Sequence, residues 1–201
     1  MAAEKNLGSL SNQLPVLLLG ALRPDAVGYY SAALRAVSLP YPLVTALARY
    51  LDVLLPARVG RGPRRVLDTF RQTTLFTGVV WLGVTALVWA AAPLLLVHVA
   101  GEDFRPAVAA VYPLLVQSAM VGFGVGIASA IRAVEKPQWL IALQLFSIAM
   151  SVPFAMTLID QRGAVGAAWF HAARYVVLTG AGLALVPWLV ERSGGPPEGD
   201  A

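Results

Sequence analysis

The chain has no cysteine, so it forms no disulfide, builds no thiolate metal centre and carries no cysteine nucleophile. Its two histidines, His98 and His171, are too few for a histidine-based metal cluster. Charge is scarce: Asp, Glu, Lys and Arg make up 13% of the 201 residues, where soluble domains carry about 25%. There is no phosphate-binding glycine loop with a lysine, no Ser–His–Asp set at matching depth and no His/carboxylate metal spacing. The adjacent acids Glu102 and Asp103 in "AGEDF" read as a solvated turn rather than an acid/base pair. These absences predict no enzyme, no metal and no cofactor.

What is present is apolar. Hydrophobic residues make up 58% of the chain and the mean hydropathy is +0.69. A helix crosses a bilayer with about 20 apolar residues. Six stretches meet or approach that length: 6–22, 26–48, 72–101, 106–131, 137–159 and 163–190. Nothing alternates with the period of a membrane β-strand. The expected fold is all-α, a bundle of about six transmembrane helices over residues 1–192, followed by a disordered polar tail, 193–201. Met1 to Lys5 is short and weakly basic, and no small-x-small cleavage pattern follows, so the first span is expected to be retained.

The net charge is +4, but most basic residues sit in short loops between apolar runs, as membrane topology requires. No nucleic-acid partner is expected. With the N-terminus inside, Lys5, Arg58, Arg61, Arg64, Arg65, Arg71, Arg132, Lys136 and Arg192 fall on the inner side. Arg23, Arg105 and Arg162 fall outside. That asymmetry predicts an inner (cytoplasmic) membrane protein with both termini in the cytoplasm.

Four segments occur in a telling order. They are "GSLSNQLPVLLLGALRPDAVGYYSAALRAVSL" (8–39), "VLLPARVGRG" (53–62), "EKPQW" (135–139) and "RGAVGAAWFHAARYVV" (162–177). Together they resemble the C-terminal half of polysaccharide, or lipid-linked oligosaccharide, flippases. These belong to the wider multidrug, oligosaccharidyl-lipid and polysaccharide exporter superfamily. The resemblance implies one half of a two-lobed, alternating-access transporter, and with it a second six-helix half, from another chain or a second copy. It also implies a lipid-linked anionic sugar as substrate, in cell-surface polysaccharide biosynthesis. Two other outcomes stay open: a cation-coupled multidrug antiporter of the same superfamily, or a non-transporting fragment or assembly partner. Family members often carry an acid three residues after the asparagine of this first span; here Pro15 follows Asn12.

Candidate binding residues are those that break the apolar runs. A charge in the middle of a bilayer costs several kcal/mol, so it usually faces a cavity or a partner. Arg174 lies about 15 Å into its span and Arg35 at a similar depth in the second. Arginine binds phosphate oxygens with a planar fork, so both are candidate substrate contacts. The alternative is a structural bond within the bundle. His171 is one turn from Arg174. Asn6, Ser9, Asn12 and Gln13 form a polar stripe on span 1 that lines a wet cavity or joins helices. The substrate-binding set is therefore Arg35, Arg174, His171, Asn12 and Gln13. Gln117 and Gln144 read as helix–helix bonds, and the glycines 122, 124 and 126 as close packing. Pro40, Pro42, Pro93 and Pro153 are expected to kink their helices.

Overall fold

The computed structural model describes residues 2–59 and 62–193. The tail beyond Ser193, and Arg61 with the side chains of Lys5 and Asn6, lie outside the described residues. Among them the structure is helical throughout, with no strand. Helix α1 spans Ala2–Leu22 and a 3-10 turn covers Pro24–Ala26. Next come α2 (Val27–Ser38), α3 (Tyr41–Leu54), α4 (Pro56–Val59) and α5 (Pro63–Leu95). A π turn, Leu96–Ala100, and a 3-10 turn, Glu102–Ala107, lead into α6 (Val108–Gly124), α7 (Ile127–Ala133) and α8 (Gln138–Ser193).

Helix α8 is two antiparallel arms. Gly163 adopts φ 52° and ψ −123°, a conformation that L side chains rarely take and glycine takes freely. The chain reverses there. The rings of Trp139 and Trp188 meet edge to face with centroids 5.6 Å apart. In one continuous helix they would be about 70 Å apart at 1.5 Å per residue. The second expected span, 26–48, is also broken. Its helix stops at Ser38 and restarts at Tyr41, because Pro40 and Pro42 lack the amide hydrogens that would carry the helix through.

Grouped this way, the described residues form six helical rods: 2–22, 24–59, 63–100, 102–133, 138–162 and 163–193. Three helical stretches are long and apolar enough to cross a membrane: Arg64–His98, Glu102–Ala133 and Gln138–Ser193. Leu7–Leu22 is apolar but shorter.

The rods run alternately up and down, so their turns gather at two ends. At one end Arg23 donates to the carbonyl of Asp160 at 3.3 Å, and the rings of Tyr29 and Phe104 meet at 6.0 Å. At the other, Ser129 and Arg132 of α7 both donate to the Asp52 carboxylate of α3. Arg58, Arg64, Arg65, Arg132, Lys136 and Arg192 lie toward the second end; Arg23, Arg105 and Arg162 lie at the first. The charge asymmetry of the sequence is thus an asymmetry of the molecule.

Two apolar cores fill the bundle. One, near the Arg23 end, gathers Leu19, Tyr30, Ala33, Val37, Leu114, Ile159 and Phe170. The other, near the Asp52 end, gathers Leu51, Leu55, Phe70, Ile131, Leu143 and Leu189. Small residues let the rods close. A Cβ on Gly122 would lie 2.4 Å from the Cβ of Trp81, so α5 and α6 touch where only hydrogen fits. The outside stays strongly apolar: Leu75, Phe76, Val79, Leu87 and Trp89 on α5, and Leu145, Met150 and Phe154 on α8, are all exposed.

Candidate functional site

Between the two cores lies a layer of polar side chains at mid-height. It draws one or two residues from nearly every rod, each near the rod's midpoint. Gln117 of α6 donates its amide to the Tyr41 hydroxyl of α3 at 2.7 Å. Trp81 of α5 donates to Ser118 at 3.2 Å. Thr77 donates to the Gly122 carbonyl at 2.9 Å, and Thr179 to the Met120 carbonyl at 3.3 Å. In an apolar interior each such bond spares a desolvation cost of about 1–3 kcal/mol.

The layer's charged member is Arg174, on the second arm of α8. Only 1% of it is exposed. Its Nη2 donates to Asn12 Oδ1 of α1 at 2.7 Å, and the Tyr175 hydroxyl donates to the same oxygen at 3.2 Å. The guanidinium carbon sits 4.9 Å from the centre of the Tyr175 ring, within cation–π range. Its Nε is buried with no hydrogen-bond partner. Among the described residues no carboxylate lies within ion-pair distance of it. The described acids, Asp25, Asp52, Asp68, Glu102, Asp103, Glu135, Asp160 and Glu191, all lie near the turns or rod ends.

His171 lies one turn earlier on the same arm. Its Nδ1 is 2.6 Å from the Tyr30 hydroxyl of α2, and its ring centre is 5.3 Å from that of Tyr175. Its Nε2 is buried without a partner. Whichever ring nitrogen carries the proton, one buried nitrogen is left unmatched. Asn12, Arg174, Tyr175, His171 and Tyr30 therefore form one continuous cluster joining α1, α8 and α2.

Tyr175 links this cluster to a cavity of about 370 Å³. Tyr41, Gln144, Tyr175 and Thr179 give it a polar edge, and Leu143 and Leu178 belong to its apolar wall. Gln144 Oε1 is buried and unpartnered. The volume falls within the range of small-molecule sites, and so does the mix of apolar wall and few polar groups.

Of the residues singled out in the sequence, the structure brings Asn12, Arg174 and His171 together. Gln13 is exposed on α1 and makes no hydrogen bond among the described residues. Arg35 stands elsewhere. Tyr30, Ala33 and Val37 form the buried face of α2, and Arg35, five residues after Tyr30, falls about 140° away on the helix wheel. It is exposed in a separate groove. Sequence reasoning missed Tyr30, Tyr41 and Tyr175. Tyr30 was within reach, since it heads the i, i+3, i+7 series that packs α2.

At the Asp52 end, burial raises the Asp52 pKa, but hydrogen bonds from Ser129 and Arg132 and the Arg132 charge outweigh it. The carboxyl is held below its ordinary range. Among the described residues no group of three or more His, Asp or Glu side chains could hold a metal ion. No family model, curated protein or solved structure matches the chain.

Proposed function

We propose that this chain is a membrane-embedded half of a flippase. It would carry an anionic, polyprenyl-pyrophosphate-linked oligosaccharide across the cytoplasmic membrane by alternating access. The observation that carries the reading is Arg174, a guanidinium at mid-height in an apolar bundle with no carboxylate in reach among the described residues. A buried cation kept without a counter-ion is costly, and an anionic ligand supplies the missing charge. The apolar exterior and the three membrane-length stretches support a bilayer setting, and the four sequence segments quoted above support the family.

In this reading α1 moves. Asn12 covers Arg174, and three residues later Pro15 interrupts the α1 hydrogen-bond ladder. Bending there would withdraw Asn12 and open Arg174 to the exposed polar side of α1, where Gln13 lies. The headgroup would enter from the inner side, exchange its phosphate oxygens for Asn12 on Arg174, and leave outside while the tail stays in lipid. No bond is made or broken. A second six-helix half, a different chain or another copy, would close the cavity. An antiporter for cationic drugs fits less well, since the described carboxylates keep to the rod ends.

The Arg174–Asn12 bond favours one competing reading, a static clamp in an assembly partner. Proteoliposomes loaded with a fluorescent polyprenyl-pyrophosphate oligosaccharide separate the two. Arg174→Gln keeps label placed on the inner leaflet protected from an external quencher, where the wild type exposes it, if Arg174 holds the substrate. It leaves flipping intact and lowers stability if the residue is only a clamp.

A further inference from the structure

A second opening lies away from Arg174, between α2 and the end of α5 with the turns that follow it. It is a groove of about 530 Å³. Gly28, Ser31 and Arg35 line one side, and Leu95, Leu96 and Phe104 the other. Arg35 is the only charged residue among its described lining, and its side chain makes no hydrogen bond or ion pair among the described residues. Arg35 lies eleven residues after Pro24, about 16 Å below the Arg23 end. Side chains on a helix lean toward its N-terminus, so Arg35 leans back toward Ser31 and Gly28, small residues that leave its path open. The groove thus pairs one unmatched cation, directed to the Arg23 end, with an apolar trough continuing toward the bundle middle.

We infer that this groove binds an anionic membrane phospholipid, its phosphate on Arg35 and one acyl chain along Ala36 and Leu39, which continue the groove past Arg35 toward the bundle middle. The chemistry matches at both ends. A guanidinium takes two phosphate oxygens at once, and the remaining walls are hydrocarbon. The inference rests on the membrane part of the reading above and not on the flippase assignment, because Arg35 and Arg174 occupy separate places.

The test reconstitutes the full chain in phosphatidylcholine nanodiscs doped with phosphatidylglycerol and counts the lipids retained in native mass spectrometry. The wild type is expected to retain phosphatidylglycerol in preference to phosphatidylcholine. Arg35→Gln should abolish that preference, since it removes the one cation among the groove's described lining residues. Arg174→Gln should leave it unchanged. Ala32→Trp, which fills the groove and spares the charge, should release the lipid as well. Equal preference in the wild type and both groove variants overturns the inference. So does a chain dimer that Ala32→Trp disrupts, which would give the groove to a second copy. A chain that never enters the nanodisc defeats the membrane reading and this inference with it. One that enters but retains both lipids alike defeats the inference alone.

Discussion

Replacing Gly166 with alanine should force apart the two arms of α8. A Cβ there would lie 1.9 Å from the Leu158 carbonyl oxygen, 2.4 Å from its carbon and 2.9 Å from the Ile159 nitrogen. Real Cβ contacts essentially never fall below 3.0 Å, so the arms must part by about 1 Å in a densely packed interior. The obstacle is backbone on both sides, so no rotamer change relieves it. Overpacking a core costs about 1–3 kcal/mol, and a clash between two backbones belongs at the upper end, about 3 kcal/mol. That is a large share of the roughly 5–15 kcal/mol that holds a folded protein together. The assay is unfolding in mixed micelles with rising dodecyl sulfate, followed by near- and far-ultraviolet circular dichroism. Gly83→Ala is the control: its Cβ meets nothing within 4 Å, and helix propensity favours alanine by up to about 1 kcal/mol. A Gly166→Ala protein within about 0.5 kcal/mol of wild type, the scatter of an inert surface change, would refute the hairpin packing.

Because the chain has no cysteine, Trp139→Cys with Trp188→Cys introduces a unique pair. A short bis-maleimide should join them within one chain, and failure to join would contradict the antiparallel arms. The Asp52–Arg132 bond, 2.7 Å long, should give a small pH dependence of stability. The folded carboxyl has the lower pKa, so its stabilisation is present above the ordinary carboxylate pKa of about 4 and fades as pH falls through the folded value. Both partners are at least a third exposed, which holds the effect below about 1 kcal/mol. Asp52→Asn should flatten that dependence in denaturation midpoints measured from pH 7 to pH 3, and an unchanged slope would refute it. Asn12→Ala should cost about 2 kcal/mol in the same unfolding assay, because it removes the side-chain oxygen that accepts from a buried guanidinium; an unchanged midpoint would count against that bond.

The rods were legible in the sequence because apolar runs and their polar punctuation are local. "RPDA", "AGEDFRPA", "EKPQ" and "DQRG" each mark a turn that the structure places at a bundle end. Depth was legible too, since the rise per residue fixes it: Arg174 is expected near mid-span and lies at mid-height, whereas Asn12 is marked in the sequence only by its polar stripe. Neighbours were not legible. Whether Arg174 faces Asn12 or Arg35 depends on how α1, α2 and α8 pack, and all three present small and apolar surfaces with little to distinguish them. The break at Leu39 and Pro40 showed as two prolines, yet their effect, two helices in place of one, needed the backbone. The polar layer was the least visible feature, because Tyr41, Trp81, Gln117 and Thr179 are scattered over 139 positions of sequence and meet only in the fold.

The most direct test of the central claim adds a polyprenyl-pyrophosphate oligosaccharide to the full chain in nanodiscs and weighs the complex by native mass spectrometry. The account predicts an assembly containing two six-helix halves that retains the lipid-linked sugar and loses it on Arg174→Gln. A lone chain that retains none, or an Arg174→Gln protein that retains as much as wild type, would contradict it.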